Sequence, residues 1–177
     1  VFLKKIDGML YGDKPEEGFF YKNTFIHKPL DFFFNFDESI FFINNPKFLV
    51  GMGENNTKFF FDIDDNITED DLEYFSKWGK TSKKKILNYR KKTINNFIIS
   101  ECIIKKSDKT LGLALIKDNK NLYRFSITSD KKYFDNYKKK FFDMVYSFGK
   151  VTTNSSVLYI EPPKIKVLKN SPEEGFI

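Results

Sequence analysis

Apolar residues recur at every second position in several stretches of this chain, and that spacing commits it to a fold built on β-sheet. Leu30, Phe32, Phe34 and Phe36 fall on one side of an extended segment, while Asp31 and Asn35 point the other way. Leu111, Leu113 and Leu115 share a face, as do Tyr123, Phe125 and Ile127. The polar stretch Asp118-Asn119-Lys120-Asn121 between these two runs predicts a hairpin. Phe48-Leu49-Val50-Gly51 and Lys58 to Ile63 read as another pair of strands, joined through Glu54-Asn55-Asn56. A long strand is expected from Thr93 to Ile104, after a lysine-rich, partly helical connection from Lys80 to Lys92.

The period changes in two places. Thr68 followed by Glu69, Asp70 and Asp71 sets a cap and acidic residues at a helix start, with the helix running through Trp78 to Gly79. Ser129 or Asp130 caps a second helix, on which Phe134, Tyr137, Phe141, Val145 and Phe148 recur at helical spacing. Lys132, Asp135, Lys139 and Asp143 occupy its other face, so it is an amphipathic helix laid on a sheet. Strands in runs, few helices and no βαβ alternation predict an α+β fold with a mainly antiparallel sheet of about five to seven strands. The turn-rich stretch 1–22 reads as a linker leading into a domain over 23–150. Residues 151–177, with a run at Val157 to Ile160, Pro162-Pro163 and a last run at Ile165 to Leu168, read as a C-terminal extension. Both flanks are expected to add less to the core than the middle.

Composition narrows the chemistry. The chain has 177 residues, enough for one domain with a real core, and carries one histidine and one cysteine. His27 and Cys102 cannot by themselves build a two-histidine or multi-cysteine metal site. Cys102, inside the apolar run Phe97 to Ile104, reads as a buried thiol. His27 reads as a strand-start residue donating a local hydrogen bond. The acidic set Asp62, Asp64, Asp65, Glu69, Asp70 and Asp71 lacks the glycine and ligand spacing of an EF-hand loop. No catalytic or metal-binding residue is therefore assigned, and no cofactor is expected in this segment.

The formal net charge is +6, carried largely by lysine runs such as Lys83-Lys84-Lys85 and Lys138-Lys139-Lys140. Specific nucleic-acid sites lean on arginine, and Arg90 is the only one near these runs, so they read as a solvated basic face. Phe33 and Phe60 break the parity of their neighbours. The sheet is then either covered on both faces or has a face left for docking. No apolar run reaches transmembrane length, and a start at Val1 suits a piece of a longer protein.

Two strings carry a resemblance. Tyr11-Gly12-Asp13-Lys14-Pro15-Glu16-Glu17-Gly18-Phe19, followed by Phe25-Ile26-His27-Lys28-Pro29-Leu30-Asp31-Phe32-Phe33-Phe34 and later Asn44-Asn45-Pro46, resembles the region after the catalytic domain in bacterial zinc metalloproteases of metallopeptidase family forty-eight, relatives of the CAAX prenyl protease and HtpX. One residue is inserted between His27 and Pro29 relative to that pattern. The hairpin, the amphipathic helix and the terminal Ser147-Phe148 also look like the Mog1/PsbP fold. The resemblance implies a non-catalytic accessory domain, periplasmic or in the cell envelope, that positions or recognises protein substrates for an attached protease domain. Zinc would belong to that protease domain. It marks Tyr11, Gly12, Asp13, Pro15, Gly18, His27, Pro29 and Phe32 as interaction positions. The alternative is a free-standing Mog1/PsbP-like protein-binding module.

Overall fold

The computed structural model describes residues 14–65 and 70–164. Ten strands and three helices follow in the order β1 (Phe19–Tyr21), β2 (Thr24–His27), β3 (Phe32–Asn35), β4 (Phe41–Asn45), β5 (Phe48–Met52), β6 (Lys58–Asp64), α1 (Asp71–Trp78), β7 (Ile86–Ile94), β8 (Phe97–Lys105), β9 (Lys109–Lys117), β10 (Leu122–Asp130), α2 (Lys131–Tyr146) and α3 (Ser155–Leu158). β4 to β10 form one seven-stranded sheet in the order β4-β5-β6-β10-β9-β8-β7, and β1-β2-β3 form a second. Every pairing is antiparallel. The α+β class and the antiparallel sheet follow the period-two pattern as expected.

Alternation assigns the layers. Phe59, Phe61, Tyr123, Phe125, Ile127, Ala114 and Ile116 face α2 and the small sheet, and pack with Phe134, Phe141 and Val145 of the helix and Phe25, Phe32 and Phe34 of β2 and β3. Leu113 and Leu115 point the other way, against Phe75 of α1, together with Cys102, Ile104 and Leu122. The central strands are thus buried on both faces. Gly112 marks the closest approach of α2 to the sheet. A Cβ there would lie 2.8 Å from Ile127 and 3.2 Å from Phe141, so only glycine fits without a shift.

Several expectations are corrected. The long strand is shorter and has a partner made from the lysine-rich connection. Lys83–Lys85 is a single 3₁₀ turn, Ile86–Ile94 is β7, and Asn95-Asn96 turns directly into β8. Both asparagines have positive φ, 51° and 66°, the geometry of a two-residue hairpin turn whose twist matches the strands. Leu30 is exposed in the turn before β3. Val157–Ile160 begins in the one-turn helix α3, capped by the Asn154 side chain, where a further extended run had been expected. α1 is capped by Asp70, whose carboxylate accepts from the Glu73 N–H, whereas Thr68 and Glu69 lie outside the described residues.

The flanks contribute more than their turn residues suggested. Phe19 ends the leading stretch in a strand and is buried. With Ile26, Phe33, Val151 and Val157 it forms a separate cluster on the outer face of the small sheet. Phe33 is therefore off-parity because the small sheet is covered on both sides, by the large sheet and by the segment after α2. Ile165 to Leu168 lie outside the described residues.

Candidate functional site

The motif positions gather only in part. Tyr11, Gly12 and Asp13 lie outside the described residues. Pro15 opens a 3₁₀ turn, Pro15–Glu17, that ends at Gly18 with φ 80°. The Phe25 ring stands under Gly18, and a Cβ there would fall 2.4 Å from it. The Asn44 side-chain amide donates to the Gly18 carbonyl at 3.1 Å, tying this turn to β4. His27, Phe32 and Asn44 line one cleft of about 360 Å³ between the small sheet and the β5–β6 end of the large one. Pro29 is exposed in the adjoining turn.

His27 sits at the end of β2, not at a strand start, and it accepts a hydrogen bond. Its Nδ1 takes the Leu30 N–H at 3.2 Å, and its ring stacks on Phe32 with centroids 5.2 Å apart. Burial lowers its pKa, so the ring is neutral with its proton on Nε2. The geometry makes His27 a brace for the β2–β3 turn.

The acidic residues are held by cations. Arg124 donates to Asp62 through Nε at 2.7 Å and through its second terminal nitrogen, and to Asp64 at 3.0 Å and Tyr74 Oη at 2.8 Å. Asp71, in the first turn of α1, accepts from Ser100 Oγ at 2.6 Å and pairs with Lys91 at 3.0 Å and with Lys117. Burial pushes the Asp71 carboxyl up. The hydrogen bonds from Lys117, Ser100 and Lys91 outweigh it and hold the group below the ordinary carboxylate range. Glu101, buried on the α2 side, accepts from Tyr146 Oη at 2.5 Å and pairs with Arg90 at 2.9 Å. Cys102 lies under α1, where burial, and then the Glu101 charge, push its thiol up to about 12. These groups secure helices to the sheet.

The part of the surface without such a structural role is the bare half of the α1 face. Opposed residues share a face, and three rows run across β4, β5 and β6: Phe41–Met52–Lys58, Ile43–Val50–Phe60 and Asn45–Phe48–Asp62. Phe41 is 65% exposed, and Ile43, Phe48 and Met52 between 38% and 44%. Phe48 stacks on Phe60 at 5.4 Å. α1 covers the same face over β7 to β10 and reaches β6 through the Tyr74–Asp64 hydrogen bond, which leaves this apolar strip open at the edge strand β4. Sequence parity singled out Phe60, but the strip's other members read as ordinary strand residues.

No protein-family model matches the chain, and no curated protein does. Solved structures do. The chain is similar to the solution structure of cyanobacterial PsbP (CyanoP) from Synechocystis sp. PCC 6803, with a TM-score of 0.51 at 9% identity, over 82% of this chain and 93% of that one. A crystal structure from Bacteroides thetaiotaomicron is similar over 74% of this chain and 49% of its own, with a TM-score of 0.50 at 10% identity. The fold is PsbP-like. At these identities the likeness is one of fold alone, and neither neighbour carries the metalloprotease resemblance further.

Proposed function

We propose that this chain is a non-catalytic, PsbP-like protein-binding domain that takes an extended apolar stretch of polypeptide on its bare sheet half. In the cell envelope it would position substrates for a zinc metalloprotease to which it is attached. The observation that carries the binding role is the open strip of Phe41, Ile43, Phe48 and Met52. Strand β4 adds an uncharged sheet edge, Phe-Phe-Ile-Asn-Asn, able to accept a further strand through main-chain hydrogen bonds while the strip receives alternate side chains. The protease connection rests on the motif resemblance across residues 11–34, and the envelope location on the same resemblance.

A free-standing binding module is the second reading, favoured by the share of CyanoP that the fold spans, 93% of that chain. A His-Glu-x-x-His helix encoded upstream in the natural reading frame would decide for the accessory role. Its absence would decide for the free-standing module. Docking itself is tested with a fluorescent, reduced and carboxymethylated α-lactalbumin as an unfolded probe. The Phe41→Ser/Ile43→Ser variant is expected to bind about tenfold or more weakly, since each truncated anchor costs on the order of 1 kcal/mol or more. Unchanged anisotropy curves for that variant would reject the strip as the docking surface.

A further inference from the structure

On the other side of the sheet, between strands β7–β8 and the first two turns of α2, lies a cavity of about 450 Å³. It lies where β7 is bulged. Its register shifts between Leu87 and Arg90, with Asn88 at φ 52°, and Leu87 and Asn88 form one wall. Ile103 and Phe134 supply an apolar floor. Lys105, Lys131 and Lys138 converge on it, with the exposed Asp135 the one acid among the lining residues. The lining therefore carries three positive charges against one negative. Among the described residues none of the three lysines is ion-paired.

Two further features bear on what it can hold. Thr110 stands on the α2-facing side of β9, in the same parity as Gly112 and Ala114, and also lines the cavity. It is 3% exposed and sets a hydroxyl, able to donate and to accept, among the lining side chains. The start of α2 also borders it: Asp130 makes no side-chain cap there, and the first turn carries Lys131 and Lys132 with no acid.

We propose that this cavity binds a small amphiphilic anion, a phosphate or carboxylate head joined to a short apolar tail. The head sits among Lys105, Lys131, Lys138 and the Thr110 hydroxyl, and the tail lies on Ile103, Phe134 and Leu87. The volume is that of a small-molecule site, and the mixture of an apolar floor with a few convergent polar groups is what such sites use. The site is separate from the bare strip, which lies on the opposite face at the other edge of the sheet.

The probe is octyl phosphate below its micelle-forming concentration, followed by amide chemical shifts and calorimetry on the full chain. Saturable one-to-one binding is expected, with shifts centred on Ile103, Thr110 and Phe134. Inorganic phosphate, lacking the tail, and octyl glucoside, lacking the charge, should each bind at least about tenfold more weakly. The Lys105→Gln/Lys131→Gln/Lys138→Gln variant should lose at least about tenfold in affinity. Thr110→Val, which removes the hydroxyl and keeps the shape of the side chain, should weaken binding a few-fold. Phe41→Ser/Ile43→Ser, which tests the docking strip, should leave octyl phosphate binding untouched. Non-saturating or scattered shifts, equal binding of octyl glucoside or inorganic phosphate, or an undiminished triple-lysine variant would overturn the proposal.

Discussion

The two edges of the seven-stranded sheet are built on opposite plans. β7 is preceded by Lys83–Lys85, carries Arg90, Lys91 and Lys92 along its length, and is bulged at Asn88. Charge and a bulge on an edge strand deter another chain from pairing there. β4 has neither. Its five residues, Phe41 to Asn45, are uncharged, its register with β5 is unbroken, and its outward apolar side chains continue onto β5 and β6. One edge is protected from contact, and the other is left able to make it. The face between them divides in the same way: the Asp71 cluster fastens α1 over β7 to β9, Tyr74 reaches on to Arg124 and Asp64, and among the described residues no helix covers β4 and β5.

The largest effect is expected where the covered half is anchored. Asp71→Ala leaves Lys117, Lys91 and Ser100 without their shared acceptor, and breaking a buried pair from one side costs about 3 kcal/mol. A urea titration should show that loss. The pH dependence has a determined sign. Asp71 is held below the ordinary carboxylate range, and Asp37 is held at about 2 by the Ser39 hydroxyl and then by Lys140. Depressed carboxyls stabilise the fold above their unfolded value, near 4, and lose that contribution as pH falls through the folded value. The urea midpoint should hold steady from about pH 7 to 5, then drop between about pH 4 and 2. In Asp71→Ala the drop should be smaller.

Cys102 reports on the same helix. With its thiol near 12, the reactive thiolate at pH 8 is on the order of a thousandfold scarcer than for a free cysteine. Labelling by a disulfide reagent should be correspondingly slow in the native chain and at least about tenfold faster in Asp71→Ala, where α1 no longer seals the site. Equal rates in the two proteins would mean that α1 stays docked without its anchor.

The guarded edge depends on the turn that was hardest to read. Asn95-Asn96 fell inside the strand expected from Thr93 to Ile104 because Thr93, Ile94, Phe97 and Ile98 are all strand-forming residues. The adjacent lysines looked like a solvated connection, because β7 is exposed on most of its length and so carries no apolar alternation. The Leu111 and Tyr123 hairpin was legible because its strands are central, and burial on both faces leaves its pattern in the sequence. Phe19 and Val157 were underestimated for a related reason: they lie 138 residues apart in the small sheet's outer cluster, a separation that local periodicity does not connect. Of the motif positions only His27 and Phe32 line the cleft, and the bare strip and the basic cavity depend on register. Asn96→Ala should cost about 1 kcal/mol by forcing a Cβ-bearing residue other than asparagine to φ 66°, and Asn96→Gly close to nothing. Equilibrium unfolding of the pair separates backbone strain from lost side-chain contacts.

The smallest expected change in stability carries the sharpest test of the comparison. Ile43 lies at the centre of β4 with 43% of its surface exposed, so Ile43→Lys removes little buried apolar area. Its lysine stem can lie over Val50, the residue opposite, while the ammonium reaches water. Stability should stay within about 0.5 kcal/mol of the parent, as for most surface substitutions. The functional consequence should be out of proportion. A charge in the middle of the edge gives β4 the protection that β7 already has, so an incoming apolar strand would have to desolvate it. Binding of the unfolded α-lactalbumin probe should fall about tenfold or more, while the urea midpoint hardly moves. If binding and stability instead fell together, Ile43 would be part of the core. If neither changed, the open edge would be an accident of sheet size, and the contrast with β7 would carry no functional meaning.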